Sequence, residues 1–275
     1  MDRNFTQSGT FDLTGKTITF DDNNSSSDDT TLTCGSASLG SVVINKTNSG
    51  AVFTLGSSCA FSGGFTRTDG ALNNPASAYT LTVNGTIAIT NTTDTTSGSN
   101  FTLEVGGSGN QSINMGGETW TGKFNVNKSG GAATLAGAFV SSGAGTTCAI
   151  AEGTLALNGQ TFTCGATFSV EDGGDLRMIG SETPTAPTLN SGSSVTFTGD
   201  GDSGADTYVI TGFSATYDNL TINATDGTTD TFQLGTALTV NGTMNVSAGM
   251  WDFNAKNASI TGNFMMDTAA QNVAT

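Results

Sequence analysis

Residues 220–266 read LTINATDGTTDTFQLGTALTVNGTMNVSAGMWDFNAKNASITGNFMM. Apolar residues alternate with Thr, Asn and Ser in bursts of three to five, and Gly or Asn-Gly separates the bursts. Leu238 and Val240 fall on one side and Thr239 and Asn241 on the other. Met244 with Val246, Trp251 with Phe253, and Phe264 with Met266 repeat the pattern. A period of two marks a strand with one buried face, and bursts this short leave no room for helices.

The rest of the chain reads as looser copies of this stretch. SVVINKTNSG at 41–50, KFNVNKSGGA at 123–132 and NLTINATDGT at 219–228 align on Asn45, Asn127 and Asn223. The alignment extends into three degenerate large repeats, approximately 11–90, 101–178 and 194–267. Within a repeat, similar bursts recur about every 20 residues, as in Val240-Asn-Gly-Thr-Met244 and Ile260-Thr-Gly-Asn-Phe264. Turns of about 16 to 25 residues, each with two or three short strands and Gly or Asn at the corners, suit a β-solenoid. The spacing predicts one continuous all-β solenoid (a parallel β-helix) over residues 1–275, of roughly a dozen short coils. The alternative is a tandem array of β-sandwich modules, one per large repeat. Copies that run into one another without a linker favour the solenoid.

Composition narrows the function. Leu, Ile, Val and Phe make up just under a fifth of the 275 residues, a level at which disorder competes with folding. The strict alternation, with 16 Phe placed mostly in alternating bursts, argues for a folded chain with a narrow core. The formal charge is -15, with 8 Lys plus Arg and no basic stripe, so nucleic acid and anionic membrane surfaces are not expected partners. No apolar run is long enough to cross a membrane as a helix. The N-terminus MDRNFTQSG does not have the pattern of a signal peptide, which argues only weakly against export.

With no His in the chain, the common general base is missing, and no Ser or Cys sits in an elbow motif. No catalytic residue is assigned, and an enzyme is not expected. The four cysteines, Cys34, Cys59, Cys148 and Cys164, form no CxxC. Cys34 with Cys59 and Cys148 with Cys164 are separated by about one coil, so stacking would bring each pair within disulfide reach. Four buried thiols acting as small hydrophobes are the other reading.

No cofactor is required. The one local metal signal is Asp200-Gly-Asp202-Ser-Gly-Ala-Asp206, whose carboxylates could supply oxygens to structural calcium. A solvated acidic turn is the plainer account, and Asp226 with Asp230 is a weaker version of the same signal. Asn-X-Ser/Thr sequons number about fourteen, with Asn84, Asn91, Asn100, Asn219, Asn223 and Asn241 among them, and these are glycosylation candidates in a host with the machinery. The plain cause is that Asn suits corners and Thr suits strands.

On the NLTINATDG, LGTALTVNGTMNVSAGMWDFN and ITGNF segments the chain resembles bacterial repeat-rich β-solenoid surface proteins. These are autotransporter passengers, filamentous adhesins and the broader β-strand-repeat group. The resemblance implies display outside the cell or on its surface, and adhesion or fibre building. It carries over no catalytic residue. Asn4-Phe5-Thr6 resembles Asn263-Phe264-Met265, so Asn4, Phe5, Phe264 and Met266 are candidate assembly ends. Stacking one copy's last coil on the next copy's first would grow a filament. A segment of a longer repeat array would carry the same pattern. The expected function is thus a self-assembling, head-to-tail surface filament. The alternative is an adhesin stalk binding glycans or another surface, and a third reading is a polysaccharide-active solenoid enzyme.

Overall fold

Every strand pairing recorded between described residues is parallel, and no helix occurs among them. A computed structural model describes residues 5–6, 12–21, 29–35, 38–47, 51–73, 78–90, 101–143, 145–210, 216–226, 230–267 and 270–273. Parallel neighbours need a crossover, and here the rest of the coil supplies it. The described residues form stacked coils of a β-solenoid, about ten turns in all. β-Sandwich modules, whose sheets are antiparallel, are ruled out by this register. The chain forms two compact units, Met1–Cys148 with Thr163–Thr167, and Ala149–Phe162 with Phe168–Thr275.

The register gives the length of each turn. In the first unit Thr17 pairs with Ser41, Val42 with Phe65, Phe65 with Ile87, and Ile87 with Ile113. In the second unit Asp175 pairs with Ser194, Ser194 with Asn219, Leu220 with Met244, and Met244 with Phe264. These steps run from 19 residues (Asp175 to Ser194) to 26 (Ile87 to Ile113). The turns are somewhat longer than the sequence spacing suggests, so fewer of them fit the chain.

Each turn has three short strands, and like strands stack into three ladders. In the second unit one ladder runs through Ser194–Phe197, Asn219–Asn223, the start of Met244–Asp252 and Phe264–Met266. A second joins Thr207–Ile210, Thr231–Leu234 and the end of Met244–Asp252. The third joins Thr216–Tyr217, Leu238–Val240 and Ala258–Ile260. Alternation puts every second side chain inside, so the core is a set of vertical stacks. Val42, Phe65, Ile87 and Ile113 form one, all at 1% exposure or less. Fully burying each such side chain contributes about 1.5–3 kcal/mol. Each turn therefore adds to stability without a thick core, which accounts for the low apolar content.

Two corners repeat closely. After Ile44 the register slips by one, so Asn45 faces Asp69, and after Ile222 it slips again, so Asn223 faces Ala248. The Thr68 hydroxyl donates to the Ile44 carbonyl at 3.2 Å, and the Ser247 hydroxyl donates to that of Ile222 at 3.1 Å. The next residues, Gly70 and Gly249, both have φ of 91°. A Cβ on Gly70 would strike the Lys46 side chain, and one on Gly249 would come within 3.0 Å of the Ala224 Cβ. These glycines allow the bulge to close over the residue that follows Asn45 or Asn223.

Cys34 is bonded to Cys59 and Cys148 to Cys164, with Cα separations of 5.4 and 6.1 Å. Both pairs are those one coil of separation suggests, and the buried-thiol reading does not hold.

Candidate functional site

The two equivalent corners differ in charge. In the first unit the corner residue is Lys46, which is fully buried. Its ammonium donates to Thr30 Oγ1 at 2.8 Å and to the Asp21 carbonyl at 3.3 Å. Lys128, which follows the second anchor Asn127, is also buried. Its ammonium donates to the carbonyls of Gly106 (3.2 Å) and Gly109 (2.8 Å) and to Gln111 Oε1. Burial pushes its proton affinity down. In both places a cation sits inside a ring of oxygens.

The third corner has Ala224 where the others have lysine. The residue that opens the next strand changes too. Ala51 accepts from the Ala71 amide and Asp230 accepts from the Met250 amide, so they hold the same place. Ala51 is apolar, whereas Asp230 is a fully buried acid. One Asp230 oxygen, Oδ1, accepts from the Asp206 amide at 3.2 Å. The other, Oδ2, meets no donor. Its neighbour is the Asp226 carboxyl, itself an acceptor. Burial, then the charges of Asp226 and Asp200, push the Asp230 carboxyl up to about 6. Asp206 is raised too, by burial and then by Asp202, Asp200 and Asp226. Among the described residues, the charged groups acting on these two are carboxylates.

The turn at 199–206 completes the corner. The Asp200 Oδ1 accepts from the Asp202 amide at 3.3 Å, and the Asp202 Oδ1 accepts from the Gly204 amide at 2.6 Å. Asp200, Asp202 and Asp226 each bring a carboxylate oxygen to within 4.8 Å of the others. The sequence signal was Asp200, Asp202 and Asp206. Asp206 lies near the group without belonging to that trio, and Asp226 joins from the following turn. The acidic residues Glu171, Asp172 and Asp175 contrast with this group. Asp175 accepts from the hydroxyls of Thr154 and Thr196 and pairs with Arg177, and Glu171 accepts from Asn190.

The remaining candidates fall in several places. Phe5 is half-buried and pairs with Leu32, while Asn4 lies outside the described residues. Phe264 and Met266 are exposed, and Met265 between them is 48% exposed. Asn91 and Asn100 lie outside the described residues, Asn84 is half-buried, and Asn223 and Asn241 are exposed. The Asn219 side chain spans two coils, donating to the Ser193 carbonyl and accepting from the Thr243 amide at 3.0 and 2.9 Å. Its amide nitrogen is therefore committed to the corner. A cavity of about 180 Å³ is lined by residues including Met178, Phe197, Tyr208 and Tyr217. That is smaller than a typical ligand pocket. Glu182, at its rim, accepts from the amides of Gly159, Ile179 and Gly180, which gives it a structural task.

Sequence reasoning missed the buried cations. Lys46, Arg67 and Lys128 are three of the eight Lys and Arg, and all are interior. Arg67 takes the inward place between Ile44 and Ile89 in its ladder and pairs with the buried carboxylate of Glu118. The available signal was the shared Asn-Lys of the first two repeats.

Two disulfides fit an oxidising compartment. None of the known protein-family models, curated proteins or solved structures compared with the chain matches it.

Proposed function

We propose that the protein is an extracellular structural protein that stacks on copies of itself, head to tail, to build a surface filament. The observation that carries this reading is the strand Phe264–Met266. It pairs on one side with residues 244–246, whose inward members Met244 and Val246 are fully buried. Its own three side chains are all exposed. Among the described residues no strand pairs with its other edge, and an open strand edge with apolar side chains is a template for another strand. A coil from a second copy fits it chemically, because the coils already stack on one another in parallel register. Such a contact is heterologous and propagates. The disulfides support a place outside the reducing cytosol.

Sedimentation over a range of concentrations tests the reading. The native chain should form large assemblies as concentration rises. Phe264→Asp with Met266→Asp should leave a dispersed chain whose melting midpoint is close to native, because neither side chain is buried. A native chain that stays monomeric at high concentration would refute the reading and favour the adhesin stalk. Assembly of the double variant at native concentrations would also refute it.

A further inference from the structure

The third corner lacks an internal cation. Lys46 and Lys128 each place an ammonium among inward oxygens at the first two anchors. At the third, Ala224 brings none, and the same region is built from carboxylates. Asp230 is fully buried with Oδ2 facing no donor. Its position against Asp226 sets acceptor against acceptor, which is stable only with a positive charge or a shared proton between them. A Cβ on Gly199, beside Asp200, would strike Asp230 Oδ2, so that oxygen lies against the 199–206 turn. Asp200, Asp202 and Asp226 bring carboxylate oxygens within 4.8 Å of one another, and Asp226 and Asp200 both act on Asp230.

We propose that this corner binds a calcium ion through the carboxylates of Asp200, Asp202 and Asp226, with Asp230 as its buried anchor. The ion takes over the part that a lysine ammonium plays at the other two corners. Oxygen-only donors specify a hard cation. Several carboxylates on a Gly-containing turn suit calcium, which accepts many oxygens in flexible geometry. Magnesium demands a tighter octahedron and keeps its waters. The site ties two successive turns together, since Asp202 and Asp226 belong to coils whose register is fixed by Thr207 against Thr231. The proposal is independent of whether the coils assemble end to end.

The test is thermal melting of the whole chain at pH 7 in chelator, in calcium chloride and in magnesium chloride, with calorimetric titration of calcium. Calcium at about a hundredfold over its Kd should raise the midpoint by roughly 5–10 °C. Magnesium at the same concentration should give a much smaller shift. Asp226→Asn should weaken calcium binding at least tenfold, by an order-of-magnitude expectation for a lost ligand. Because it relieves repulsion, its chelated midpoint should match or exceed that of the chelated native chain. An unchanged native midpoint with no binding heat would overturn the proposal and leave a shared proton as the account of the Asp226–Asp230 contact. An equal response to magnesium, or an undiminished calcium shift in Asp226→Asn, would also overturn it.

Discussion

Glu118→Ala should destabilise the first unit by about 3–5 kcal/mol, one of the two largest effects expected in the chain. Glu118 is the buried carboxylate opposite Arg67, and Arg67 is fully buried in a stack that otherwise holds Ile44 and Ile89. Truncating the acid leaves the guanidinium charged, because arginine does not give up its proton in proteins. The cost is then that of a buried charge that has lost this carboxylate, well above the loss of one hydrogen bond. The pair itself is a different matter. Replacing both members with methionine removes the desolvation cost and the attraction together, so Arg67→Met with Glu118→Met should recover most of the loss. Urea unfolding of the native chain and these variants checks the effect. A Glu118→Ala chain within about 1 kcal/mol of native would mean that the charges are solvated.

Removing the Cys34–Cys59 bridge should cost about 3 kcal/mol, and removing Cys148–Cys164 a similar amount. The sequence separations are 25 and 16 residues, and the closed loops restrict the unfolded chain. Each bridge fastens the two ends of one coil. Cys34→Ala with Cys59→Ala should lower the unfolding midpoint, and reductant should do the same to the native chain while leaving that variant with only its second bridge to lose. Titration of thiols in denaturant without reductant should find none. Four reactive thiols would contradict the assignment.

The strands were legible because a narrow core demands strict alternation. Leu238, Val240, Met244 and Val246 read as inward, and all four are buried. The disulfides were legible because one coil is also the distance at which a chain returns beside itself. Two features were not. Lys46, Arg67 and Lys128 sit on inward positions, yet a charged residue taken alone reads as surface. Only the equivalence of the Lys46 and Ala224 corners, with Gly70 and Gly249 in the same left-handed conformation, reveals that one position holds a cation and its counterpart does not. The acidic corner was half-legible. Local spacing finds Asp200 and Asp202, but Asp226 comes from the next coil, 24 residues beyond Asp202, as Thr207 and Thr231 set the register. A site built across coils is invisible to spacing within one loop. The exposed strand Phe264–Met266 carries apolar residues at the same alternate positions as the buried strands, and only the structure shows its side chains open to solvent.

Negative-stain electron microscopy of the purified native chain, at the concentration where sedimentation detects assembly, tests the filament most directly. The account predicts long fibres of uniform width, lost in the Phe264→Asp, Met266→Asp variant. Fields of short, separate particles at every concentration would contradict it.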